Sequence, residues 1–153
     1  AMHRICIEAE QTQPLTLEQD FLNRVFTRVD QSIAMAAPFT AFHMKAKAIA
    51  TLTESGSTAL WMSRLNCGVP IYALTSQTTT RYRCALMRDV YPLMVKYVVH
   101  DRDELVMEAE KVLFENRVVK DGDLIVLTIG EPIGKAGGTN TMKNVKVGEN
   151  RKS

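Results

Sequence analysis

Ala48-Ile49-Ala50-Thr51-Leu52-Thr53-Glu54-Ser55-Gly56-Ser57-Thr58-Ala59 is the stretch that decides the fold of this chain. An apolar, partly β-branched run ends in a short turn rich in hydroxyls, and an amphipathic stretch continues from Ala59 to Leu65. That order reads as strand, tight turn and helix N-terminus. The first turn of a helix has N–H groups without intrahelical partners and carries a partial positive charge. Hydroxyls at Thr53, Ser55, Ser57 and Thr58 around a Cβ-free Gly56 suit a phosphate or another small anion there. The commoner use of such residues is an ordinary serine N-cap, which carries no function.

Working outward, further apolar runs at 71–75, 93–98 and 124–129 join 48–53 as buried strands. Continuous rather than alternating apolar runs are expected where both faces of a sheet are covered. Helical stretches lie between them at 57–66, about 77–88 and 102–116. In the last, Leu105, Val106, Ala109, Val112 and Leu113 share one face, and Asp101 is a natural N-cap. Alternation of strand and helix implies a parallel sheet with right-handed crossovers. Thr141 to Val147 follows a glycine-rich loop with no helix between, which predicts an antiparallel edge strand. The expected fold is therefore α/β, a three-layer αβα domain whose five-stranded sheet is mostly parallel with an antiparallel last edge strand.

Ahead of this core, Arg4 to Glu10 has helical spacing and reads as the tail of a helix begun elsewhere. Leu17 to Arg28 is amphipathic and of undetermined type. Asp30 is placed as the N-cap of an alanine-rich helix reaching Met44, with Pro38 predicting a kink or a late start. The chain divides into a leading helical segment, 1–28, a core, 30–147, and a frayed tail, 148–153.

Composition narrows the function classes. A chain of 153 residues is most simply one domain, and 46% apolar residues exclude disorder. No apolar run reaches the roughly 18 residues of a membrane helix. The opening residues lack the apolar centre of a signal peptide, so a cytoplasmic protein without membrane partners is expected. Nineteen basic and 17 acidic residues are dispersed, with none of the contiguous basic face of a nucleic-acid binder. Cys6, Cys67 and Cys84 lie far apart, which argues against a disulfide framework or a zinc site and for single buried thiols. His43, in a helix-like stretch, is read as structural.

In an open α/β sheet, ligands gather at strand C-termini where the strand order reverses. If the 48–53 strand neighbours the 124–129 strand, loops 53–58 and 130–139 flank one crevice there. Gly130-Glu131-Pro132-Ile133-Gly134-Lys135-Ala136 superficially suggests a phosphate-binding P-loop. Its spacing is one residue short, Ala136 stands where a hydroxyl should hold magnesium, and no helix follows. No set of residues for covalent or acid–base catalysis emerges, and no metal-ligand cluster.

Four strings in order resemble the C-terminal α/β domain of pyruvate kinases. They are Thr53-Glu54-Ser55-Gly56-Ser57-Thr58-Ala59, Gly68-Val69-Pro70-Ile71-Tyr72-Ala73-Leu74-Thr75, Gly122-Asp123-Leu124-Ile125-Val126-Leu127-Thr128 and Gly138-Thr139-Asn140-Thr141-Met142. Cys6 to Glu10 and the alanine-rich 33–46 also fit, so the likeness covers nearly the whole chain and is to the bacterial type. The resemblance implies a parent enzyme that moves a phosphoryl group from phosphoenolpyruvate to ADP with magnesium or manganese and potassium. Those substrate and metal residues belong to a separate barrel domain, so this chain alone is expected to be inactive and to hold no cofactor.

What the resemblance assigns to this domain is regulation and assembly. A phosphorylated effector is implied at Thr53, Glu54, Ser55, Gly56, Ser57 and Thr58 of one loop and Gly137, Gly138 and Thr139 of the other. Glu54 stands where some fructose 1,6-bisphosphate-activated members carry Lys, and 102–116 lacks the Trp and Arg that clamp a second phosphate in some animal enzymes. A sugar monophosphate such as ribose 5-phosphate, AMP, or no effector fits better. The implied partners are the parent barrel and further copies, through strand 141–147 and the helix near 30–46, as in a tetramer. The alternative is a stand-alone phosphometabolite-binding or protein-interaction module of the same fold.

Overall fold

A strand clad on both faces organises the molecule: Ala48, Ile49 and Ala50 are each 0% exposed. In the computed structural model, which describes residues 1–12, 23–96, 101–131 and 138–149, they lie in β1 (Ala48–Leu52). With β2 (Ile71–Thr75), β3 (Val90–Met94), β4 (Leu124–Gly130) and β5 (Thr139–Lys146) it forms one sheet ordered β3-β2-β1-β4-β5. β1 pairs in parallel with β2 and β4, β2 in parallel with β3, and β4 antiparallel with β5. Ile49 stands opposite Ile71 on one side and Val126 on the other.

Alternation along β1 sorts its side chains between two cores. Ala48 and Ala50 face α5 (Arg102–Glu115), packing with Leu105, Val106, Ala109 and Leu113. Ile49 faces the opposite layer, where α2 (Val29–His43) supplies Ala34, Ala37 and Ala41. Ala59 and Met62 of α3 (Ser57–Ser63) and Cys84 of α4 (Thr78–Cys84) complete that core. The expected three-layer αβα fold with an antiparallel last edge strand is the observed one. Fully burying a Leu such as Leu105 or Leu113 contributes about 1.5–3 kcal/mol relative to exposure, so α5 is held mainly by its apolar stripe.

Several boundaries differ from the sequence expectation. The third strand lies at 90–94, because Asp89, at φ 56, turns the chain so that Val90 pairs with Ile71. Of the expected 93–98, residues 95 and 96 are not in the strand and 97–98 lie outside the described residues. Pro92, which has no N–H to donate, is tolerated because β3 is an edge strand. β5 begins at Thr139, two residues early, where a register shift sets Gly130 against Thr139. α3 and α4 are both shorter than expected, seven residues each.

The leading helix α1 (Met2–Thr12) is present, and its Cys6 is exposed rather than buried. Of the 17–28 segment, residues 17–22 lie outside the described residues and 23–28 are not helical. α2 starts at Val29 and runs through Pro38 without a late start. Asp30 is not its N-cap. It sits buried in the first turn, where Arg28 donates from Nε at 3.0 Å. Asp101 occupies the α5 N-cap without a side-chain capping bond. Gly148, placed in the tail by the sequence, is buried and donates its N–H to Glu110 Oε1 at 2.9 Å. No helix among the described residues is long and apolar enough to cross a membrane.

Two threonines carry an unusual cost. Thr51 and Thr128 are register partners, each 0% exposed, and neither Oγ1 has a hydrogen-bond partner among the described residues. A buried unpaired hydroxyl disfavours the folded state, whereas an apolar group of the same shape does not. Thr51→Val and Thr128→Val should each raise stability by about 1 kcal/mol in urea denaturation with an unchanged m-value. A loss of stability in both variants would contradict the assignment of unpaired hydroxyls.

Candidate functional site

The strand order places the reversal point beside β1. The chain moves outward from β1 to β2 and β3, then returns to β4 on the other side. The crevice between the C-terminal ends of β1 and β4 is therefore the place where a doubly wound sheet takes ligands. Two of the segments singled out in the sequence meet there.

Residues 53–58 form a turn closed by its own hydroxyls. Thr53, at the exit of β1, donates its N–H to Leu74 O at 3.0 Å, and its Oγ1 accepts from Gly56 N at 2.9 Å. Ser55 Oγ accepts from Ser57 N at 3.3 Å and donates to Ser57 Oγ at 3.0 Å. The α3 N-cap is Gly56, not a serine, and it has no capping side chain. Gly56 adopts the left-handed conformation, φ 79, which admits glycine without strain. Its missing Cβ also matters for packing, because a carbon there would sit 3.0 Å from Cys84 Sγ and 3.4 Å from Thr80 Cγ2.

The turn is fastened on both flanks. Thr58 Oγ1 and Thr139 Oγ1 share a buried 2.8 Å hydrogen bond, which ties α3 to the start of β5. On the other side Thr80 Oγ1 donates to Glu54 O at 2.6 Å. Ser76 Oγ lies 3.3 and 3.4 Å from the two Glu54 carboxylate oxygens, and Arg83 Nη1 lies 3.4 Å from Ser55 O. The Glu54 carboxylate is thus tied to the connection between β2 and α4, and an exposed guanidinium stands beside the turn. Sequence reasoning missed Ser76, Thr80 and Arg83. Their only advance signal was a polar Ser76-Gln77-Thr78-Thr79-Thr80 run following a buried strand.

Across the crevice, Gly138 and Thr139 are described and Gly137 lies outside the described residues. Gly130 meets Gly138 so closely that a Cβ on it would approach the Gly138 carbonyl carbon and oxygen to 2.9 Å. Asn140 closes this mouth, accepting from Glu131 N at 3.1 Å and donating to Glu131 O at 2.7 Å. Of the expected residues, Thr53, Gly56, Thr58 and Thr139 are buried, while Glu54, Ser55, Ser57 and Gly138 are half-buried. Burial raises the Cys84 thiol pKa, so beneath Gly56 it is a packing atom and a poor nucleophile. No group of three metal-ligating side chains occurs among the described residues.

These features define a doubly wound α/β domain with a hydroxyl-lined turn at its reversal point. The chain belongs to the pyruvate kinase family: residues 31–145 match the family described as the pyruvate kinase alpha/beta domain. It is 36% identical over 150 residues to a pyruvate kinase of Buchnera aphidicola subsp. Schizaphis graminum, covering 96% of this chain and 31% of that protein. Pyruvate kinase II of Salmonella typhimurium is 35% identical over 148 residues, covering 96% and 31%. A pyruvate kinase of Staphylococcus saprophyticus is 36% identical over 149 residues, covering 97% and 25%. The chain spans less than a third of the length of these curated relatives.

Gly56→Ala tests the turn. Left-handed backbone costs a non-glycine residue about 1–2 kcal/mol, and crowding against Cys84 adds to it. Urea denaturation should show at least that loss; unchanged stability would mean the turn has another conformation in solution.

Proposed function

We propose that this domain is the regulatory and assembly module of a pyruvate kinase, and that it is catalytically silent alone. The parent would transfer phosphoryl from phosphoenolpyruvate to ADP in the cytoplasm, with magnesium or manganese and potassium held in a barrel domain. Phosphoryl transfer needs cations placed around the phosphates. Family membership supports the parent activity. One observation carries the binding role: a hydroxyl-lined, glycine-centred turn leaves the central strand at the point of strand reversal.

In this reading a monophosphate lies over Ser55, Gly56 and Ser57, between loops 53–58 and 130–139. The half-buried Ser55 and Ser57 hydroxyls are within reach of solvent, and Arg83 supplies a nearby positive charge. Glu54 makes a bisphosphate unfavourable through charge repulsion. A sugar monophosphate such as ribose 5-phosphate, or AMP, is the class of effector proposed, with Gly138 and Thr139 on the opposite wall. Thr53 and Thr58 shape the site from beneath, since their hydroxyls already bond Gly56 and Thr139.

Assembly is proposed through α2 and the β5 edge. Phe39, Phe42 and Met44 at the end of α2 are exposed by 42, 41 and 55%. Phe39 and Phe42 flank His43, with ring centroids 4.3 and 5.3 Å apart. Apolar exposure of this kind favours burial against another surface.

Thermal-shift titrations should separate effectors. At about 100 times Kd a ligand adds about 2.7 kcal/mol, a rise of roughly 5–11 °C for a domain of this size. Ribose 5-phosphate or AMP should give it, fructose 1,6-bisphosphate should not, and Ser55→Ala with Ser57→Ala should abolish it. No shift with any of these would remove the effector role. Sedimentation velocity over a concentration series should show reversible self-association, reduced by Phe42→Glu; a monomer throughout would refute assembly through this domain alone.

A further inference from the structure

The turn is not free-standing, and its fastening is lopsided. Three consecutive residues face the α4 side: Glu54 bonds Thr80 and Ser76, Ser55 bonds Arg83, and Gly56 lies where an added Cβ would meet Cys84, Thr80 and Met87. Thr80 is the centre of this contact. Its side chain is 5% exposed, so water competes little for the hydroxyl that it donates to Glu54 O at 2.6 Å. Gly56 leaves no slack there, with Cys84 at the 3.0 Å that an added Cβ would meet. Close-packed groups of this kind pass on a displacement rather than absorb it.

The two flanks of the turn also differ in what restrains them. On one side Thr139 opens β5, an edge strand held to β4 over seven register pairs, against five between β2 and β3. On the other, α4 leads only to β3, an edge strand paired on one side with β2. The segment running through α4 and β3 is the part of the sheet with fewer ladder bonds to break, and so the part able to respond.

We propose that α4 is the element through which the state of the 53–58 turn is passed to the rest of the domain, with Thr80 as its positioning residue. The participation of a ligand rests on the effector reading above; the coupling between turn and helix does not. Thr80 does not touch the ligand. It holds the Glu54 carbonyl, and through it the direction of the amides of Gly56 and Ser57.

Amide hydrogen exchange on the full chain tests this, comparing wild type, Thr80→Val and Thr80→Ser with and without ribose 5-phosphate. Without ligand, Thr80→Val should speed exchange at Gly56 and Ser57 about five-fold, the loss of one ordinary hydrogen bond. Thr80→Ser, which keeps the hydroxyl, should restore the wild-type rate, a rescue that a purely steric role for Thr80 would not show. With ligand, wild type should slow both at the turn and at Ala85, Leu86 and Met87, whose N–H groups close the end of α4. In Thr80→Val the slowing should stay within the turn. Equal turn exchange in all three proteins, or ligand protection of the turn without any change at α4, overturns the proposal. Should Thr80→Val not fold, Gly56→Ala gives the reciprocal test: its Cβ must alter exchange at Ala85 to Met87, and no change there overturns the coupling. A ligand that changes nothing anywhere defeats the effector reading, while the ligand-free comparisons still decide the coupling.

Discussion

Full burial of β1 on both faces is the constraint on which the remaining structure depends. A strand whose Ala48, Ile49 and Ala50 see no solvent must have neighbours on both edges and helices above and below. The edges are met by β2 and β4, and the faces by α5 on one side and α2 with α3 on the other. Small side chains at Ala48 and Ala50, and at Ala34, Ala37 and Ala41 of α2, allow those helices to approach. Polar chemistry is thereby pushed to the exit of the strand. Reversal of strand order at the same place turns that exit into a crevice.

What the crevice contains follows from the need to satisfy backbone groups at a helix start. The hydroxyls of Thr53 and Ser55 accept the N–H groups of Gly56 and Ser57, in place of a capping residue. Thr58 and Thr139 pin the two walls together. The left-handed Gly56 lets the turn lie flat against Cys84. A hydroxyl-lined turn of this kind gathers hydrogen-bonding groups at the exit of the central strand. The turn lies within the segment, residues 31–145, that matches the pyruvate kinase alpha/beta domain.

Much of this was legible in the chain. Strands 48–53, 71–75 and 124–129 declare themselves through continuous apolar runs, because burial on both faces erases alternation. The helix at 102–115 declares itself by its stripe, and the turn by hydroxyls around glycine. Edge strands were harder. β3 carries Tyr91 and Pro92 and is only partly covered, so its composition does not mark its start at Val90. The start of β5 is set by a close glycine–glycine approach at Gly130 and Gly138, a tertiary fact without a local pattern. Asp30 looked like a cap but answers to Arg28. Thr80, Ser76 and Arg83 were invisible as site residues, because only the folded sheet brings α4 against the turn.

The most direct measurement is a map of backbone amide chemical shifts of the ¹⁵N-labelled chain during titration with ribose 5-phosphate, with inorganic phosphate as the comparison. The largest saturable shifts should fall on Ser55, Gly56, Ser57 and Thr58, with Thr139 following. Shifts centred elsewhere on the domain, or none at saturating concentrations, would contradict the proposal that this turn binds a phosphate group.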